Sequence, residues 1–136
     1  MSRWGALAFA AVLATAPAVA GATDGLRPFL ATFAVEYGGM SVGTGRLELR
    51  RDGVPDHWVF ESRSRARGLA KLVVGSEITQ RTTVSIDADG VRPLHYRLDD
   101  GTSNGSRDIS LDFDWTAGRV TGVAEQRPVD VVTVPG

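Results

Sequence analysis

The sequence predicts an all-β protein, a curved antiparallel meander resembling an incomplete barrel, with one short helical turn near 68–75 and an N-terminal signal peptide in front. Three observations predict it. Residues 107–115 (Arg-Asp-Ile-Ser-Leu-Asp-Phe-Asp-Trp) alternate without a miss, Ile109, Leu111, Phe113 and Trp115 on one side, Asp108, Ser110, Asp112 and Asp114 on the other. Successive side chains of a strand leave on opposite faces, so this is a half-buried antiparallel strand. Similar alternating runs recur along the chain, separated by Gly- and Asp-containing turns. Finally, the apolar phase switches at Gly43-Thr44-Gly45, where a bulge or bend would curl the sheet.

Residues 1–20 have the anatomy of a secretory signal. Arg3 supplies the positive start, Trp4–Ala14 is an unbroken run of apolar and small residues, and Ala18-Val19-Ala20 is a small-x-small cleavage site. Ala20-Gly21-Ala22 offers a second cut, so cleavage is expected after Ala20 or Ala22. The run is too short to anchor in a bilayer, and there is no Cys to lipidate, so a soluble periplasmic protein is expected that does not span the membrane. Residues 21–28 form a leader, and 29–136 the β domain.

Phe29–Tyr37 alternates with Phe29, Ala31, Phe33, Val35 and Tyr37 on one side. Gly38-Gly39 turns it, because Gly accepts positive φ without a Cβ clash. Met40–Arg51 follows, its Met40/Val42 and Leu47/Leu49 pairs in opposite phase unless a bulge intervenes near Gly43–Gly45. A turn at 52–56 leads to His57–Arg67, with Trp58 and Phe60 on one face and Arg63, Arg65 and Arg67 on the other. Residues 68–75 are apolar, bracketed by glycines, and break the strand pattern; they are the expected helical turn. Ser76–Asp87 is a strand whose polar content predicts a place near an edge. Asp87-Ala88-Asp89-Gly90 reads as a type I turn with a glycine bulge. Val91–Leu98 follows with Leu94, Tyr96 and Leu98 inward, and Pro93 places it at a strand start or an edge. Residues 99–106 are a loop, and after the 107–115 strand come Arg119–Gln126 and Pro128–Pro135. The ending at Gly136 predicts an incomplete domain with its last strand as an unpaired edge.

Composition narrows the function classes. There is no Cys, so no disulfide staples the fold and no thiol acts as nucleophile. The formal net charge of −1 gives no general pull toward nucleic acid, and no nucleic-acid partner is expected. Charge is uneven: residues 46–81 are net basic and 82–136 net acidic. Charge runs are usually solvated surface, and here the two halves would complement each other.

Phe29-x-Ala31-x-Phe33-x-Val35-x-Tyr37-x-Gly39, Gly43-x-Gly45-x-Leu47, Arg67-Gly68-Leu69-Ala70, Asp89-Gly90-Val91-Arg92-Pro93-Leu94-x-Tyr96 and Phe113-Asp114-Trp115 occur in that order. Together they resemble the bacterial domain of unknown function 3108 family over about Phe29 to Trp115. The resemblance implies an exported protein of Gram-negative bacteria and a longer chain. It carries no catalytic residues, because the family has no established activity. A looser likeness, of architecture alone, is to periplasmic lipoprotein carriers that fold as a curved, incomplete barrel around an apolar cavity.

No catalytic constellation is visible. His57 and His95 lie on strands without a local motif partner, and the serines lack a nucleophile-elbow context. Asp-x-Asp-Gly at 87–90 lacks the later ligands of a calcium loop, and no cofactor or metal is expected. Asp108, Asp112 and Asp114 are weighed as a solvated face before a cation site. The candidate ligand lining is Phe33, Val35, Trp58, Phe60, Leu111, Phe113 and Trp115, against the plainer reading as hydrophobic core. The candidate anion contacts are Arg63, Arg65 and Arg67, whose guanidiniums match a phosphate or lipid headgroup, against the plainer reading of pairing with the Asp108/Asp112/Asp114 face. The expected function is therefore a non-enzymatic periplasmic protein holding an apolar or amphipathic, lipid-like ligand on a concave sheet face. The alternatives are an envelope interaction protein using an exposed strand edge, or a hydrolase whose catalytic part lies beyond residue 136.

Overall fold

A computed structural model describes residues 25–68, 71 and 77–133. The signal segment 1–20 lies outside the described residues, as does the expected helical turn apart from Gly68 and Lys71.

Among the described residues, eight strands follow one another in chain order: β1 (Phe29–Tyr37), β2 (Met40–Arg51), β3 (His57–Ala66), β4 (Glu77–Asp87), β5 (Gly90–Asp99), β6 (Ile109–Asp114), β7 (Arg119–Ala124) and β8 (Arg127–Val132). They form one antiparallel sheet in the order β1-β2-β3-β4-β5-β6-β7-β8, open between β1 and β8. This is the meander that the alternation predicts. Among the described residues no helix is long and apolar enough to cross a membrane.

The registers sort the side chains. Phe29 faces Leu49, which faces Phe60, which faces Thr82, then Tyr96 and Leu111. Directly opposite residues share a face, so one face is apolar from Phe29 in β1 to Val131 in β8. The other carries Arg46, Glu48, Glu61, Arg63, Arg65, Arg81, His95, Arg97, Asp112 and Asp130. Burial is thin for so much apolar area. Trp58, Val59, Ala66 and Val120 are the buried hydrophobic residues among those described, while Phe29, Phe33, Val35, Phe60 and Trp115 remain exposed.

Two bulges keep the faces consistent. Val35 pairs with Gly43 but Glu36 pairs with Ser41, so Val42 is an extra residue in β2. That shift brings Met40 onto the face of Leu47 and Leu49, as the phase switch requires, one residue before the glycines. The second bulge lies in β5: Thr83 pairs with His95 and Val84 with Pro93, leaving Leu94 unopposed. Strict alternation puts Leu94 in phase with Tyr96; the bulge instead brings Val91 and Pro93 onto the apolar face.

Two placements differ from the sequence reading. β4 is interior, between β3 and β5, although its polar content predicted an edge. Most of its polar residues face the charged side of the sheet, with Gln80 and Thr82 on the apolar side, and on the charged side an interior strand of a one-layer sheet still meets water. β5 is interior as well, and Pro93 is tolerated there because it sits at the bulge. Pairing of β5 with β6 begins only at His95/Asp112, and beyond it the Trp115 indole N–H donates to the Pro93 carbonyl at 2.7 Å. β6 is shorter than the 107–115 alternation. Arg107 and Asp108 are drawn into the β5–β6 loop: Arg107 donates its backbone N–H to Asp100, and Asp108 accepts the N–H of Asp100.

Candidate functional site

The seven candidate lining residues do come to one face. Phe33 and Val35 lie on β1, Trp58 and Phe60 on β3, Leu111 and Phe113 on β6, with Trp115 just past its end. They are not one cluster, because β1, β3 and β6 are separated by β2 and by β4–β5. Phe33 lies across Gly45, where a Cβ would run into its ring. Glycine opposite an aromatic on a neighbouring strand lets the ring lie flat on the backbone. Phe113 and Trp115 stack with centroids 6.4 Å apart and planes 13° from parallel. Trp58 is 4% exposed, and the Arg51 guanidinium sits 4.6 Å from its ring centroid. It is therefore a packed residue, whereas Phe33 and Trp115 at 44% and Phe60 at 37% present rings to solvent.

The arginines find carboxylates nearer than the acidic stripe of β6. Arg63 pairs with Glu61 of its own strand at 2.6 Å, and Arg65 with Glu77 of β4 at 2.6 Å. Both line a hollow of about 300 Å³ with Thr32, Thr44, Arg46 and Glu77. Arg46 is paired in turn with Glu48 at 3.1 Å. Arg67 lies past the end of β3, its backbone N–H donating to the Val42 carbonyl. Thus Arg63 and Arg65 meet one hollow, each already matched by an acid, and Arg67 does not line it.

The three aspartates of the stripe also separate. Asp112 holds His95 Nδ1 at 2.6 Å, Asp114 accepts the Ala117 backbone N–H in the β6–β7 turn, and Asp108 accepts that of Asp100. Asp99, Asp100 and Asp108 bring carboxylate oxygens within 4.8 Å of one another. Asp100, 3% exposed, nevertheless spends its oxygens on the chain itself. It accepts from the Thr102 hydroxyl at 2.6 Å and backbone N–H at 2.9 Å, and from Arg107. The Thr102 hydroxyl is the main reason its carboxyl is pulled down to about 2, with the Thr102 and Arg107 backbone groups adding to it against the cost of burial. This trio organises a loop.

The larger hollow escaped sequence reasoning. It measures about 540 Å³ and lies on the polar face, lined by residues of β3, β4, β5, β6 and β7, with Arg63, Arg81 and Arg97 facing Glu61, Asp99 and Asp108. The signal for it was cross-strand register, which alternation alone does not carry.

A family model described as "Protein of unknown function (DUF3108)" matches residues 32–136. No curated protein and no solved structure matches the chain.

Proposed function

The chain belongs to the DUF3108 family, whose description assigns no activity, and on that premise we propose that it is an exported periplasmic protein that acts by binding an apolar or amphipathic, lipid-like ligand on its apolar sheet face. The carrying observation is that a one-layer sheet leaves Phe29, Phe33, Val35, Phe60 and Trp115 all more than a third exposed on one side. A soluble protein rarely leaves so many large apolar side chains exposed on one face unless something covers them. The charged opposite face keeps the sheet soluble, and the signal anatomy of residues 1–20 supports export.

Native mass spectrometry on the full-length protein, purified without detergent, tests this reading. Extra mass that solvent extraction releases as lipid, and that falls when Phe60→Ser removes an exposed ring, is the expected result. A clean unliganded mass after incubation with envelope lipid extract overturns it.

A second reading has its own observation. β1 is an edge strand whose nine residues are all exposed. An unpaired edge offers its N–H and C=O groups to a partner's strand. Fast hydrogen exchange of β1 amides in the full-length protein, slowing on addition of an envelope protein, favours that reading; protection of β1 before any addition removes it.

A further inference from the structure

We propose that the polar face carries a second site, independent of the apolar-face reading, for a compact oxyanion of the phosphate class, formed by Arg81 and Arg97 with Thr83 and His95. Arg81 of β4 and Arg97 of β5 are directly opposite each other in the register. Like charges at opposite positions destabilise a sheet unless an anion lies between them. Neither guanidinium forms an ion pair within 4.0 Å among the described residues, in contrast to Arg46, Arg63, Arg65, Arg92, Arg107 and Arg119.

Both arginines line a hollow of about 220 Å³ whose other walls are Thr83 and His95, with no carboxylate in the lining. Thr83 and His95 are themselves opposite each other, so the four groups form two adjacent cross-strand pairs. Asp112 binds His95 Nδ1 at 2.6 Å, which fixes the ring and leaves Nε2 uncommitted. Two guanidinium forks and a hydroxyl donate to a tetrahedral oxyanion, and Nε2, the acceptor nitrogen of a ring whose Nδ1–H is given to Asp112, takes the P–OH of a hydrogen phosphate.

The surroundings select size. On their other side, Arg81 and Arg97 border the 540 Å³ hollow, where Glu61, Asp99 and Asp108 repel an extended polyanion such as nucleic acid. The position selects the source. The site opens on the face opposite the exposed aromatics, so a lipid lying on the apolar side of this one-layer sheet does not present its headgroup here. The ligand class is a soluble phosphate or phosphate monoester.

The experiment is titration of the full-length protein with inorganic phosphate at low ionic strength, read by calorimetry and by the His95 ring signals in NMR. Saturable binding of one phosphate is expected, with movement of the His95 signals. Arg81→Ala and Arg97→Ala should each weaken it about tenfold or more, since charge-assisted forks are the strong contacts. Arg97→Lys keeps the charge without the fork and should weaken it to a smaller degree. Arg92→Ala, whose arginine is already paired with Asp89, should leave it unchanged. Far-ultraviolet dichroism checks folding, and the Lys variant carries the test if an Ala variant unfolds. Absence of saturable binding, or binding indifferent to Arg81 and Arg97, overturns the proposal. So does binding through these arginines to phosphatidic acid vesicles but not to free phosphate, which assigns the site to a membrane lipid.

Discussion

Asp100 shows how one side chain shapes a loop that composition marks only as irregular. Its four accepted hydrogen bonds, from Thr102 and Arg107, fold 100–108 back so that β6 starts at Ile109. Because the folded carboxyl is held at about 2, below its ordinary value of 3.8, the stabilisation is present above about pH 4 and is lost as pH falls toward 2. Denaturant melts of Asp100→Asn should therefore show lower stability than the parent at pH 6, with the gap closing between pH 4 and pH 2. Trp115→Phe keeps an aromatic beside Phe113 but loses the bond to the Pro93 carbonyl. It should cost about 1 kcal/mol in the same melts. These roles were not legible in the sequence. His95 lacks a partner within its own strand, and its pairing with Asp112, 17 residues away, depends on a β5–β6 register that alternation does not specify. What alternation does specify is the face, and His95 and Asp112 are on the polar one.

The strands themselves were the most legible part. β1 and β2 run over the residues that the pattern marks, Phe29–Tyr37 and Met40–Arg51, because glycine-containing turns bound both and a clean two-residue period runs through β1. The bulge predicted near Gly43 is there at Val42, whereas the one at Leu94 was masked by an apolar residue that fits the pattern it breaks. The same limit explains the arginines: which acid each would meet was a matter of register, and Arg65 found Glu77 on β4 in place of the β6 stripe. At the β7–β8 turn, Glu125 and Gln126 have φ of 50° and 63°, a conformation that favours Asn and Gly. The double change Glu125→Asn, Gln126→Gly should raise stability by about 1 kcal/mol, read as a higher denaturation midpoint. Gly122 presents the opposite case. A Cβ there would strike the Ser110 backbone, and its φ is 150°, so Gly122→Ala should loosen β6 from β7 and cost more than about 1 kcal/mol.

At the scale of the molecule, the sheet separates two chemistries by one layer of backbone. The exposed rings on one side predict that the full-length protein enhances the fluorescence of an apolar dye, and that Phe33→Ser with Phe60→Ser lowers the signal about twofold or more. The sequence shows this two-sidedness in the alternation of each strand, but the alignment of eight such strands into one continuous surface emerges only from their registers. The neighbour-only topology has a further consequence for how the chain acquires its shape. Among the described residues each strand bonds only to those before and after it in the sequence, β1 to β2 and onward to β8. Contacts of short sequence separation form early and rapidly, single hairpins in about 1–10 μs. A chain delivered N-terminus first, as from an export channel, can therefore zip each hairpin from the residues already released before the next strand arrives. The sheet can grow vectorially, strand by strand, with one open growing edge moving down the chain.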